Sequence, residues 1–129
     1  MEPLLGTDAW KIEEEDFHPR RNRVMESLFS LGNGHMGIRG HFEEDYSGDT
    51  LPVTYLGGVY YPASVPVPPA RLGLPSKVMR VPPGANTLGI HVEFDGEMLD
   101  LAHCTLRSFR RTLFLREGVL ERRFRARLH

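Results

Sequence analysis

The residues best equipped for chemistry in this 129-residue chain are its acids. Glu43, Glu44 and Asp45 stand consecutively, and a pair of carboxyl groups is what cleavage of a glycosidic bond generally requires. Neighbours in extended chain point to opposite faces, so Glu43 and Glu44 are not expected to flank one scissile bond. A rim contact, a salt bridge with Arg39 or plain solvation accounts for them, and no catalytic residue is assigned. Glu13, Glu14, Glu15 and Asp16 form a second acidic run, which reads as a solvated face or loop. It has neither the ligand spacing nor the internal glycine of a calcium loop.

Other reactive types are scattered. His35 and His41 lie six apart across glycines, and His91 and His103 stand singly in strand-like context. With Cys104 as the lone cysteine, no paired zinc spacing forms, so no metal or cofactor is expected. Ser27 and Ser30 sit in no nucleophile elbow. The glycine-rich run lacks the Lys and Ser or Thr of a phosphate loop. Trp10, Tyr55, Tyr60 and Tyr61 are the side chains that could stack on a sugar ring, although an aromatic in a strand is more often packing. Residues 105–129 carry eight arginines (Arg107, Arg110, Arg111, Arg116, Arg122, Arg123, Arg125 and Arg127) against Glu117 and Glu121, while the acids crowd the first fifty residues. This basic ribbon fits a soluble sheet surface, or docking on an acidic patch of the same protein. No aromatics interleave with the exposed arginines, and 16 basic residues balance 17 acidic ones, so nucleic acid is not an expected partner.

The elements that must position these groups read as strands. Glu26–Gly40 is expected to be strand, turn, strand, with Asn33-Gly34 as a type I′ hairpin turn and Gly32, Gly34, Gly37 and Gly40 allowing bulges or close approach. Trp10 and Ile12 alternate with Lys11 and Glu13, and His18–Asn22 reads as loop. Val53–Tyr61 is expected to be one strand with a bulge at Gly57-Gly58. Leu88, Ile90, Val92 and Phe94 alternate up to a turn at Asp95-Gly96. Phe109, Arg111, Leu113 and Leu115 form one face of a strand, and Glu117-Gly118 turns it. Leu120, Arg122, Phe124, Ala126 and Leu128 form one face of the next, leaving Glu121, Arg123, Arg125 and Arg127 to solvent. Seven prolines between residues 62 and 83 predict a long stiff loop and no strand, set against another domain or subunit. No helical periodicity and no repeat is seen.

The whole predicts an all-β, antiparallel sandwich of meander hairpins, in one domain spanning 1–129 or the N-terminal portion of a larger one. A lone cysteine, expected to be buried, together with no signal peptide and no apolar run near the ~20 residues of a membrane span, points to the cytoplasm and away from membranes.

Five blocks in order resemble the N-terminal region of glycoside hydrolase family 65, the maltose, trehalose and kojibiose phosphorylases and their hydrolase relatives. They are Trp10-Lys11-Ile12-Glu13; Glu26–Gly40 with Phe42-Glu43-Glu44; Leu56-Gly57-Gly58-Val59-Tyr60; Asp95-Gly96-Glu97 with Leu99-Asp100-Leu101; and Leu115–Leu120 with Arg122. The resemblance implies part of a large super-sandwich that precedes an (α/α)6 catalytic barrel. There a Glu protonates the glycosidic oxygen, and in the phosphorylases inorganic phosphate is the co-substrate. Neither the barrel nor that Glu has a counterpart in these residues, so the chain alone is expected to be inactive. The expected partners are the barrel, carbohydrate, and a second copy covering open edges. A stand-alone carbohydrate-binding sandwich and a basic interaction ribbon are the alternatives.

Overall fold

The computed structural model describes residues 8–64 and 77–128. They are mostly strands, all paired antiparallel, as the alternation predicts. The centre is a three-stranded sheet in which β9 (Thr105–Phe114) lies between β1 (Lys11–Glu15) and β10 (Val119–Arg127). Gly118, at φ 63°, closes the β9–β10 turn. The register sets Arg111 opposite both Glu14 and Arg122.

A second sheet joins β2 (Leu31–Gly32), β3 (Met36–Ile38) and β4 (Thr54–Leu56). Its first turn is not type I′. Only Gly34 has positive φ (85°), and the Asn33 N–H donates to the Met36 carbonyl. That puts Gly34 at the first central position, as in a II′ turn. The Asn33 side chain instead accepts the backbone N–H groups of His35 and Met36. The I′ pattern occurs at Asp95-Gly96 (φ 51° and 86°), between β7 (Glu93–Phe94) and β8 (Glu97–Met98).

Four expectations are corrected. Glu26–Leu28 is not strand: a 3-10 turn (Pro19–Arg21) leads from His18 into helix α1 (Asn22–Leu28). Asn22, Met25, Glu26 and Phe29, spaced i, i+3, i+4 and i+7, form its buried face. Two of the four are polar, so the apolar signal of the helix is halved. Val53–Tyr61 is not one bulged strand. Gly58 (φ 79°) turns the chain after β4, and β5 (Tyr61–Ser64) belongs to another sheet.

The Pro-rich stretch is likewise not all loop. β5 pairs with β6 (Lys77–Arg80), so strands occupy its two ends, and Pro62 lies opposite Met79. Among the described residues β5 has one partner, and an edge position tolerates the missing N–H of proline. Residues 65–76, the middle of that predicted loop, lie outside the described residues. Finally, Leu88–Phe94 pairs only at its end. Leu88, Ile90 and Phe94 stay exposed, with one isolated bridge between Ile90 and Glu44.

One face of the central sheet holds the core, in two clusters. Met25 and Phe29 from α1 pack with Leu113, Ile12, Leu31 and Leu120. Phe42, Leu101 and Phe109 pack with Phe17, Tyr46 and Phe124. Phe17, Phe42, Tyr46 and Phe109 meet edge-on or tilted, with ring centroids 5.0 to 5.9 Å apart. Cys104 is half-buried rather than buried, and free.

Candidate functional site

The densest chemistry lies between those two clusters, and β alternation puts it there. Arg111 sits between Phe109 and Leu113 on the inner face of β9, and is fully buried. Its Nε donates to Glu14 Oε2 at 2.9 Å and its Nη2 lies 2.7 Å from the same oxygen. Nη1 donates to the Gly40 carbonyl at 2.6 Å, and Nη2 reaches Asn22 Oδ1 at 3.4 Å. The rings of Phe29, Phe42 and Phe109 surround the guanidinium at 5.1 to 5.6 Å. Such rings favour a cation.

The network continues into α1. Asn22 donates to Glu26 Oε1 (2.9 Å), which also accepts the Thr50 hydroxyl (2.5 Å). Glu26 Oε2 accepts the Leu51 N–H at 3.0 Å and faces Arg39 at 3.4 Å. Arg39 also donates to Ser27 Oγ and to the Arg23 carbonyl, both at 2.8 Å, and so clamps the helix. Gly40 is the junction. Its N–H donates to the Glu26 carbonyl, and a Cβ there would stand 2.7 Å from both Cβ and O of Phe29. Only glycine lets the chain pass between helix and arginine. Here the resemblance to the Arg39-Gly40 pair gains a physical reason.

Burial pushes the Glu14 carboxyl up from its ordinary value, against the pull of Arg111. Burial also pulls Arg111 down, against Glu14. Both directions say that desolvation outweighs the attraction, as expected for a dry ion pair. Glu14 Oε1 has no hydrogen-bond partner. The reading of residues 13–16 as a solvated run therefore fails at Glu14, which is only 2% exposed. The signal was present: Glu14 shares a face of β1 with Ile12. Asn22, Glu26 and Arg39 carried no such mark.

A second arginine repeats the pattern. Arg122, on the inner face of β10, lies over Phe42 at 4.4 Å and Phe124 at 5.2 Å. It donates to Glu44 Oε1 at 2.5 Å and to Glu43 Oε2 at 2.7 Å, with a further contact to Glu44 Oε2. The partner of Glu43 and Glu44 is thus Arg122, not Arg39. The two acids do converge, because the chain bends at Glu43 instead of running extended. Both are committed to one guanidinium. Three arginines of the last hairpin, Arg110, Arg111 and Arg122, thus meet acids of the first fifty residues, which is the docking reading for part of that ribbon.

The stacking candidates are spread out. Trp10 precedes β1 and lies 4.3 Å from the Arg116 guanidinium. Tyr55 is half-buried in β4, while Tyr60 and Tyr61 are exposed where β5 begins. Tyr55 and Tyr61 belong to different sheets, and Trp10 lies beside a third. Ser47, His103 and Asp100 come together, but Ser47 Oγ (3.2 Å) and Asp100 Oδ2 (3.8 Å) both face His103 Nε2. A nucleophilic triad needs its acid on Nδ1. Among the described residues no group of three or more His, Cys, Asp or Glu side chains is placed to hold a metal ion, and no helix is long and apolar enough to cross a membrane. This ionic core ties β1, β9 and α1 together through Glu14, Arg111 and Asn22.

The family model described as "Glycosyl hydrolase family 65, N-terminal domain" matches residues 12–129. The chain is similar to maltose phosphorylase of Bacillus subtilis (strain 168), with 40% identity over 92% of this chain and 16% of the relative. It is similar to alpha,alpha-trehalose phosphorylase of Thermoanaerobacter brockii at 31% identity, over 94% of this chain and 16% of the relative. A solved structure, "Putative kojibiose phosphorylase from human microbiome", superposes with a TM-score of 0.83 at 36% identity, covering 98% of this chain and 17% of that one. The chain thus spans about a sixth of the length of these relatives.

Proposed function

The chain belongs to the glycosyl hydrolase family 65 N-terminal domains, and from that premise we propose that it is the non-catalytic β domain of an enzyme that phosphorolyses an α-linked glucose disaccharide. The single observation that carries this reading is the 40% identity to a maltose phosphorylase along nearly the whole chain. The folded arrangement supports it, since Glu14, Glu43 and Glu44 are each paired with an arginine of the same fold. The reacting carboxyl and the phosphate pocket then belong to a catalytic barrel, with inorganic phosphate as co-substrate and this domain as its mount. A single free cysteine is in keeping with a cytoplasmic enzyme.

The test is reconstitution. The chain alone should not turn over maltose, trehalose or kojibiose in the presence of phosphate. Exchanged for the matching N-terminal segment of a relative, it should support release of a sugar phosphate. Turnover by the isolated chain would overturn the reading. Saturable shifts on titration with glucose or maltose would favour a stand-alone sugar-binding module resting on Tyr60 and Tyr61.

We also propose that the apolar side chains left exposed at Leu88, Ile90, Phe94 and Met98 are covered by self-association when the chain is by itself. Light scattering coupled to size-exclusion chromatography should show a dimer at micromolar concentration. A clean monomer would count against this.

A further inference from the structure

We propose that the outer face of the β9–β10 hairpin carries a binding site for a phosphate-bearing small molecule, centred on Arg107 and Arg125. The pairing of the hairpin is interrupted at one place. Arg125 faces Ser108 and Ala126 faces Leu106, so Arg107 is the extra residue of a β-bulge. Strict alternation would turn Arg107 inward beside the Phe109 cluster. The bulge instead leaves Arg107 and Ser108, consecutive residues, both exposed on the outer face. Bulges commonly re-aim a side chain in this way.

Arg107 and Arg125 line a groove of about 430 Å³ together with Arg110, Arg123, Ser108 and the acids Glu15 and Asp16. That volume falls within the range of small-molecule sites, about 300–1,000 Å³. Arg110 is held by Glu15 at 2.5 Å and Arg123 by Glu121 at 2.9 Å. Arg107 and Arg125 have no acidic partner among the described residues. The four guanidiniums of the lining meet Glu15 and Asp16 within it and Glu121 beside it, leaving a surplus of one positive charge. A phosphate group at neutral pH carries about −1.5 to −2 and accepts guanidinium N–H groups in pairs. Its charge is opposite to that surplus, the two guanidiniums without an acidic partner can each take it, and the Ser108 hydroxyl adds a donor. The concave shape favours such an anion over a flat protein surface.

The site stands whether or not the enzyme assignment above holds, because it uses only this hairpin and the end of β1. The test is titration of the full chain with inorganic phosphate, against chloride at matched ionic strength, read by calorimetry and by chemical shifts of the hairpin amides. Saturable binding is expected, with shifts confined to residues around 107–110 and 123–125. Arg107→Ala and Arg125→Ala should each weaken it about tenfold, and Arg125→Lys should retain part of it. Arg127→Ala, outside the groove, should leave it unchanged. The substituted side chains are exposed, so circular dichroism should match the parent chain. No saturable binding would overturn the proposal, as would equal loss with Arg127→Ala, or binding of a polyglutamate peptide where phosphate fails.

Discussion

The two faces of the β9–β10 hairpin use one residue type for opposite ends. Inside, Arg111 and Arg122 lie against phenylalanine rings and are met by Glu14, Glu43 and Glu44. Outside, Arg110 and Arg123 hold single exposed partners, and Arg107 and Arg125 face solvent. Charge, size and hydrogen-bonding capacity are identical on both faces. What differs is hydration, and hydration decides how much each arginine matters. An exposed ion pair exchanges one aqueous environment for another and gains little. A buried one has given up its water and depends wholly on its partners. Composition alone, eight arginines in the last 25 residues, is blind to that division. The alternation of the strand sees it.

The sharpest break of this comparison is Arg111→Ala. It strands the Glu14 carboxylate in an apolar setting and should destabilise the fold by about 3–5 kcal/mol. Urea denaturation followed by circular dichroism measures this. Removing both charges with Arg111→Met and Glu14→Leu should recover most of that loss, since apolar replacements of a buried pair are often close to neutral. If the double variant were as unstable as the single one, the pair would be doing more than cancelling its own desolvation.

Arg122→Ala comes next. Glu44 is nearly as buried as Glu14, but Glu43 keeps 39% of its side-chain surface exposed. Part of the stranded charge can therefore rehydrate, and the expected cost drops to about 2–3 kcal/mol. Equal losses for Arg111→Ala and Arg122→Ala would show that ring contacts rather than desolvation set the scale.

Titration sharpens the same contrast. The Glu14 carboxyl is held above 4.5, first by burial, with Arg111 opposing. The folded state therefore binds this proton more tightly than the unfolded one. The contribution is fully present below pH 4.5 and is lost as the pH rises through the higher folded value. Asp100 runs the other way. Burial would raise it, yet hydrogen bonds from Ser47 and Ala102 hold it below 3.8, so its contribution exists above that pH and fades as the pH falls below it. Comparing each variant with the parent chain from pH 3 to 8 separates the two. The stability difference should move in favour of Glu14→Gln as the pH climbs above 4.5. Asp100→Asn should be destabilised at neutral pH and indistinguishable from the parent at the acid end. Drift in the opposite sense for Glu14→Gln would mean that attraction, not desolvation, dominates the core.

The inner face was legible beforehand wherever apolar alternation was unbroken. Phe109-x-Arg111-x-Leu113 and Leu120-x-Arg122-x-Phe124 placed both arginines among core residues, and Glu117-Gly118 marked the turn between them. Legibility failed where the core itself is polar. Asn22 and Glu26 occupy half of the buried face of α1, so the helix had too little apolar period to show. Glu14 was hidden by acidic neighbours that are solvated. Glycine misled in the other direction: Gly57-Gly58 reads equally as bulge or turn, and only the pairing partners of β4 and β5 decide. Leu88–Phe94 has perfect alternation with nothing in the described residues to cover it, because alternation reports what a strand could bury rather than what is there to bury it. Arg111 and Arg122 inside, and Arg107 and Arg125 outside with no acidic partner among the described residues, are the same letter in the sequence, and it is a bulge that puts Arg107 with the second pair.

The smallest effect is the most discriminating for that last point. Arg123→Ala removes an exposed pair whose arginine retains 75% of its side-chain surface. Its cost should stay within about 0.5 kcal/mol, and should shrink further in 1 M salt, where charges are screened over about 3 Å. A loss several times larger would mean that the outer face is not free in solution but covered, as it would be if a second copy docked there. The stability of Arg123→Ala would then depend on protein concentration, and the inner and outer arginines would differ only in which chain supplies their partners.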